Sequence, residues 1–395
     1  MDNEHSKLPE TIYSMIQATY WMGYCLVGSF MSVFLLYFGY SNSEIGLIAS
    51  TGSILSVLFQ LVSGRVLDKY PKIQLRKFTC CHILIFLMPA AFQLLGKKSG
   101  FLITVTMILV YSLANSLQPL LNSLCVQFEG TGLKINFGLA RGLGSLTFAV
   151  MSFAMGKILL KKPPTILPKT YIAIFLCLIV WVLLFRYEPP RKQAKTLQRN
   201  EVSGIILLKK YKKFIVFLIG VICLMFGHSL INQYMIQIVT SLGADSDVMG
   251  KCFFMAAALE LPAMFSFSKL KSKLSCGWWL CISSVFFTLK HLLIFLANSI
   301  VMLYTAQFMQ IGGFALLAPA VVYYANECME KEDQAKGQAL VSASMTAAGI
   351  FASCIGGLLL DYTTVKGMLL VGAIVTAVGL ILVFAFTDKA CKIRS

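Results

Sequence analysis

The sequence predicts an all-α membrane protein of twelve transmembrane helices in two pseudo-symmetric six-helix bundles, and three observations carry that prediction. Apolar residues make up 57% of the 395-residue chain and charged residues 13%, whereas soluble domains run near one half and one quarter. The apolar residues fall into twelve runs of bilayer-crossing size, each close to the roughly 20 residues that span about 30 Å of hydrocarbon. Short motifs also recur at a shift of about half the chain.

Taken in order, the runs are 11–38, 43–69, 75–95, 100–128, 135–160, 169–187, 213–240, 246–270, 275–297, 300–329, 333–361 and 365–386. Charge, Pro or Gly separates each from the next. The first run is too long for a signal-peptide core and no small-residue cleavage site follows it, so it is expected to be retained. Twelve cysteines lie mainly within the runs, without metal-ligand or redox spacing, and read as reduced packing residues.

The net charge of +17 sits in the short segments between runs rather than along one polar face, which argues against nucleic acid as a partner and for orientation in a bilayer. Alternating the loops between the two sides places about 23 of the Lys and Arg with the N-terminus and about 8 opposite, so both termini are expected in the cytoplasm. Lys157, Lys161, Lys162 and Lys169 run against that bias.

The longest connection carries Pro189-Pro190 and a dense set of basic residues at mid-chain. It divides the chain into an N-terminal six-helix bundle (1–187), a cytoplasmic linker (188–212) and a C-terminal bundle (213–395). Phe137-Gly138-Leu139-Ala140 opening run five is echoed by Lys336-Gly337-Gln338-Ala339 in run eleven. Pro119 and Pro319 mark runs four and ten, and Ser43-Glu44-Ile45-Gly46 pairs with Asp247-Val248-Met249-Gly250. Two parallel halves imply a central solute site and alternating access.

Ionisable side chains within spans are costly and default to functional candidates. Glu260 lies about 14 residues into run eight, roughly 20 Å by helical rise, and is followed by Leu261-Pro262. The proline frees a backbone carbonyl one turn earlier. Lys290, in run nine, needs a partner for its ammonium, and Glu260 is the natural one. A buried carboxyl of this kind can couple protonation to transport; the structural alternative is a plain ion pair. His228 and the adjacent His291 read mostly as packed side chains.

Asn122 and Arg141 lie on runs joined by a tight turn and are each seven residues from a charged residue near it, Glu129 and Lys134. They are expected at similar depth, where an amide and a planar guanidinium share a polar ligand; snorkelling of Arg141 to the interface is the alternative. Asn232 and Gln233 on run seven, with Gln237, and Gln307 and Gln310 on run ten suit either a wet cavity for a neutral polar solute or interhelical hydrogen bonds. Tyr20-Trp21 offers rings for stacking a sugar or base, or for packing. Glycines thread runs five and eleven and permit close helix approach. No nucleophile–base–acid set, zinc motif or nucleotide fingerprint occurs, so the chain does not read as an enzyme and no metal or organic cofactor is expected.

Gly64-Arg65-Val66-Leu67-Asp68-Lys69-Tyr70-Pro71, followed by Arg76-Lys77, resembles the Gly-x-x-x-Asp-Arg-x-Gly-Arg-Lys signature of the major facilitator transporters, departing from it at Tyr70 and Pro71. In that family the Asp and basic residues form a cytoplasmic gate, which the resemblance carries to Asp68, Arg76 and Lys77. Ser56-Val57-Leu58-Phe59-Gln60, Pro119-Leu120-Leu121-Asn122 and Asn136-Phe137-Gly138-Leu139-Ala140-Arg141 look like the lactose permease branch of oligosaccharide and nucleoside proton symporters. There the run-five Arg, matched by Arg141, binds sugar with a run-four acid, replaced here by Asn122. Glu260 matches a run-eight Glu linking sugar and proton sites, and Lys290 falls where a run-nine Arg sits. The run-ten His and Glu of lactose permease appear as Gln310 and Gly313.

The expectation is a monomeric major facilitator transporter of the plasma membrane that imports a small polar solute (a sugar, oligosaccharide or nucleoside) with a proton, driven by the proton gradient. Glu260 and Lys290 serve proton coupling, and Asn122, Arg141, Asn232, Gln233, Gln307, Gln310, Tyr20 and Trp21 bind the solute. A drug or metabolite exporter and a non-transporting solute receptor are the alternatives.

Overall fold

A computed structural model of the chain describes residues 2–95, 100–129, 135–186 and 210–389, by backbone alone at 2–6, 129, 264, 265 and 268. All regular structure among the described residues is helical. The α-helices are α1 (Asp2–Tyr24), α2 (Met31–Tyr37), α3 (Asn42–Lys69), α4 (Leu75–Phe92), α5 (Gly100–Glu129), α6 (Phe137–Ile158) and α7 (Ile166–Leu184), then α8 (Lys212–Gln233), α9 (Met235–Ser241), α10 (Ser246–Lys271), α11 (Cys276–Leu296), α12 (Ile300–Gln307), α13 (Phe314–Cys328), α14 (Gln334–Tyr362) and α15 (Val365–Phe386). The sequence-derived linker, apart from 210–212, lies outside the described residues.

Among the described residues ten spans are long and apolar enough to cross a membrane, the pair α1 and α2, bent by 42°, makes an eleventh, and α10, the eighth apolar run, is not among them. Helix α10 has 26 residues, about 39 Å at 1.5 Å per residue, and carries Glu260 mid-length. Three of the apolar runs are not single helices. A π-helical turn at Cys25–Ser29 separates α1 from α2, Tyr234 separates α8 from α9, and a 3₁₀ turn at Phe308–Ile311 followed by Gly312-Gly313 separates α12 from α13. Hydropathy does not register such breaks, because the residues at them are as apolar as their neighbours.

Large apolar side chains point outward along the helices, with Val301 73%, Met88 65% and Ile381 65% exposed. Exposure on that scale fits lipid rather than water as the surrounding solvent.

The chain divides into two compact units, Met1–Tyr40 with Leu47–Gln198 and Ser41–Gly46 with Arg199–Ser395. In the first, α1 packs on α6 and α7, and α4 packs on α5 and α7. In the second, α8 packs on α14 and α15, and α11 packs on α13 and α15. Counted as spans, the first set pairs one with five and six, and three with four and six; the second pairs seven with eleven and twelve, and nine with ten and twelve. The neighbour pattern therefore repeats with a shift of six spans, as expected for two pseudo-symmetric bundles.

Aromatic side chains fill both interiors. Phe86 meets Phe175 at 4.1 Å between ring centroids in the first unit, and Phe217 meets Tyr324 at 4.8 Å in the second. Polar groups fix the ends of the second unit. The Asp361 carboxylate accepts from Asn42 N, Asn42 Nδ2 and Ser43 N at 2.7–3.1 Å, which satisfies backbone donors in the first turn of α3. Near the start of α8, Asp333 accepts from Lys336 at 2.8 Å, Lys210 at 3.0 Å and Tyr211 at 3.0 Å, and Lys210 also reaches Glu330 at 2.7 Å. The hydrogen-bonded Lys336 and Lys210 hold the Asp333 carboxyl well below the usual carboxylate range, and Glu330 and Asp333 in turn push the Lys210 ammonium up.

Candidate functional site

In the first unit a polar chain runs through the interior from one face of α1. Residues Gln17, Tyr20, Trp21 and Tyr24 recur at helical spacing and so share that face. Gln17, 1% exposed, donates from Nε2 to Tyr13 OH at 2.8 Å and to Asn122 Oδ1 at 3.2 Å, while its Oε1 accepts from Trp21 Nε1 at 3.2 Å. The Arg141 guanidinium lies 3.9 Å from the centroid of the Trp21 ring and donates from Nη1 to Ser145 Oγ at 2.7 Å. Asn122 and Arg141 thus belong to one cluster, linked through Gln17 and Trp21. Tyr20 OH donates to the Ala114 carbonyl at 3.2 Å and Tyr24 OH to Asn115 Oδ1 at 2.9 Å, so both tyrosines are fixed against α5.

Gly144 seats this arrangement. A Cβ there would lie 2.5 Å from Trp21 Cδ1, inside any tolerable contact. Gln17, Ser145, Asn115 and Tyr24 were not singled out in the sequence; the signal for Gln17 was an uncharged polar side chain four residues before a Trp in an apolar run.

In the second unit Gln310 is hydrogen-bonded to both Glu260 and Lys290. Lys290 Nζ donates to Gln310 Oε1 at 2.5 Å, and Gln310 Nε2 donates to Glu260 Oε1 at 2.6 Å. Lys290 is 4% and Gln310 2% exposed, and Glu260 is half-buried. Three elements supply these groups: α10, the 3₁₀ turn of span ten, and α11. The sequence paired Glu260 with Lys290, and Gln310 is hydrogen-bonded to both.

Other predicted residues surround this array or lie apart from it. On α8, Asn232 Nδ2 and His228 Nε2 are 2.9 Å apart, and the His228 ring stacks on Phe314 with centroids 5.0 Å apart and planes 3° from parallel. Gln233 is half-buried at the end of the same helix. Gln307, 1% exposed, presents a buried Nε2 without a hydrogen-bond partner among the described residues. Gln237 donates to Asn42 Oδ1 at 2.9 Å, away from the array. His291 donates from Nε2 to the Leu369 carbonyl, at 3.1 Å, and is wedged where a Cβ on Gly372 would approach to 2.3 Å. Of the expected gate residues, Asp68 and Lys77 are exposed, and Arg76 Nη1 donates to the Leu183 carbonyl at the end of α7, at 3.0 Å. Among the described residues no group of three His, Cys, Asp or Glu is placed to hold a metal ion.

Repeated helical bundles with buried polar clusters in otherwise apolar spans define a membrane transporter of the major facilitator fold. The chain belongs to the MFS_1 like family, whose model matches residues 13–371. A curated relative, "Uncharacterized transporter YwbF" of Bacillus subtilis (strain 168), is 23% identical over 374 residues, covering 93% of this chain and 91% of that protein. Among solved structures, a variant of the nucleoside transporter NupG superposes with a TM-score of 0.79 at 16% identity, covering 97% of this chain and 100% of that one. A bacterial homolog of the human lysosomal transporter Spinster, inward-facing and unoccupied, gives a TM-score of 0.67 at 11% identity, covering 97% of each chain. At these identities the structural likeness shows the fold. The chain is thus a multi-span membrane transporter for a small solute, not an enzyme.

Proposed function

We propose that this transporter imports a small polar solute, a sugar, oligosaccharide or nucleoside, together with a proton, by alternating access of two six-helix halves, 1–187 and 213–395, joined by the linker 188–212. Glu260 takes the proton and Lys290 is its counter-charge. Arg141, Asn122, Tyr20 and Trp21 bind the solute in one half, and Asn232, Gln233, Gln307 and Gln310 in the other. Asp68, Arg76 and Lys77 act at the cytoplasmic gate. The transporter works as a monomer in the plasma membrane with both termini in the cytoplasm, and needs no cofactor beyond the proton gradient.

The observation that carries this reading is the Glu260–Gln310–Lys290 array. An acid and an ammonium within apolar spans are costly to maintain, and purely structural cohesion between helices is available from apolar packing. A cation crossing with the solute gains roughly 2.3 kcal/mol per 100 mV, which concentrates a neutral solute nearly fiftyfold. The likeness to a protein named as a nucleoside transporter favours nucleosides within the panel.

The test is uptake of radiolabelled sugars and nucleosides into proteoliposomes with and without an imposed proton gradient. Accumulation of one solute class only with the gradient supports the reading. Equilibration indifferent to the gradient overturns the proton role, and an absence of uptake for the whole panel overturns the substrate class.

A further inference from the structure

Gln310 lies in the 3₁₀ turn Phe308–Ile311 that interrupts span ten, and both ends of its amide are committed to charged groups. Its bonds to Lys290, 2.5 Å, and Glu260, 2.6 Å, are charge-assisted, one received from an ammonium and one given to a carboxylate. A carboxamide has one acceptor end and one donor end. Only one orientation satisfies an ammonium on one side and a carboxylate on the other, because the flipped amide would turn its oxygen toward the carboxylate and its N–H groups toward the ammonium.

The break in span ten makes that reach possible. Gly312 follows the turn against the Phe286 ring, where a Cβ would fall 2.4 Å from Cγ, and Ser283 Oγ holds the Gly313 carbonyl at 2.8 Å. An uninterrupted helix here would present Gln310 at a different angle to α10 and α11.

We infer that Gln310, besides its solute contact, is a positioning residue that couples the charge of Glu260 to that of Lys290. The inference rests on Glu260 being the proton acceptor. While Glu260 is ionised, the amide is held in one orientation and its oxygen stays on Lys290. When a proton binds the Glu260 carboxylate, Nε2 loses its anionic acceptor, the amide is released, and the Lys290 ammonium is freed for a solute oxygen. The proton enters and leaves at Glu260, and Gln310 neither gains nor loses one. Among the described residues, His228 on α8, Cys252 on α10 and His291 on α11 are further titratable groups that interact with Lys290.

The experiment follows thermal unfolding of the purified full chain in detergent across pH, so that no solute has to be known. The wild-type profile is expected to contain a step that Glu260→Gln removes. Lys290→Met should displace that step by about one pH unit, a tenfold change in proton affinity. In the presence of Gln310→Leu, Lys290→Met should displace it by about a third of a unit or less, which is the non-additivity expected of groups acting through one another. Gln310→Asn, one methylene too short to reach both partners, should abolish the coupling in the same way if the leucine variant does not fold. Equal displacement in both backgrounds would show that Lys290 acts on Glu260 directly and overturn the relay. A wild-type profile with no Glu260-dependent step overturns the reading of Glu260 as the proton site, and the relay with it.

Discussion

Arg141 rests its guanidinium 3.9 Å from the centroid of the Trp21 ring and is steadied from beneath by Ser145 at 2.7 Å. A planar cation over an indole contributes about 0.5–2 kcal/mol, and both partners here are half-buried. The guanidinium is a planar fork of donors suited to a hydroxyl or carbonyl of the solute. Arg141→Lys keeps the charge and loses both the fork and the stack, so KM should rise about tenfold or more with protein level unchanged. Trp21→Phe should show a smaller rise, because a ring face remains. Concentration-dependent uptake in proteoliposomes measures both.

Gly144→Ala tests the seat of the same ring. A Cβ 2.5 Å from Trp21 Cδ1 forces the indole or α1 to move, at a cost of about 1–3 kcal/mol for overpacking, which outweighs the better helix propensity of Ala, about 1 kcal/mol. The variant should unfold at lower temperature and transport less, and combining it with Trp21→Ala should recover part of the lost stability.

His291 is expected to be structural. Its Nε2 is bonded to the Leu369 carbonyl at 3.1 Å and its ring faces Gly227 and Gly372. His291→Ala should lower thermal stability, through a cavity and an unpaired carbonyl, while the folded fraction keeps gradient-driven uptake. Loss of coupling in protein of normal stability would instead place His291 in the proton path.

The Asp333 cluster gives a pH dependence outside the membrane. Asp333 has its carboxyl depressed by Lys336 and Lys210, so its contribution to stability is present above the ordinary aspartate value of about 3.9 and is lost as pH falls below it. Lys210 is shifted up, so its contribution is present below the ordinary lysine value of about 10.4 and is lost as pH rises beyond it. Thermal stability should therefore show a plateau from about pH 4 to pH 10 with respect to this cluster. Asp333→Asn should lower the plateau and flatten its acid limb, as followed by melting temperature against pH.

Much of the fold was legible because a bilayer imposes a length and a composition on every span. Runs four, five and twelve, for example, coincide closely with α5, α6 and α15. The breaks at Cys25–Ser29 and Phe308–Ile311 were not legible, since Gly28 and Gly312 look in sequence like the glycines that serve helix packing. Candidate residues such as Glu260 and Arg141 stood out because charge is scarce in a span. Their partners did not: Gln17 is 105 positions from Asn122 and Gln310 is 50 from Glu260, and nothing local encodes which amide will bridge which charge. The chain of Lys290, Gln310 and Glu260 exists only once three separate elements have packed.

The most direct test of proton-coupled import is the movement of the proton itself. Wild-type protein and Glu260→Gln are reconstituted in lightly buffered proteoliposomes without any imposed gradient, and external pH is followed while each solute of the sugar and nucleoside panel is added. Symport through Glu260 predicts a transient alkalinisation with the transported solute, as protons follow it inward, and no such change for Glu260→Gln. Solute entry with a flat pH trace in the wild type, or an undiminished alkalinisation in Glu260→Gln, would contradict it.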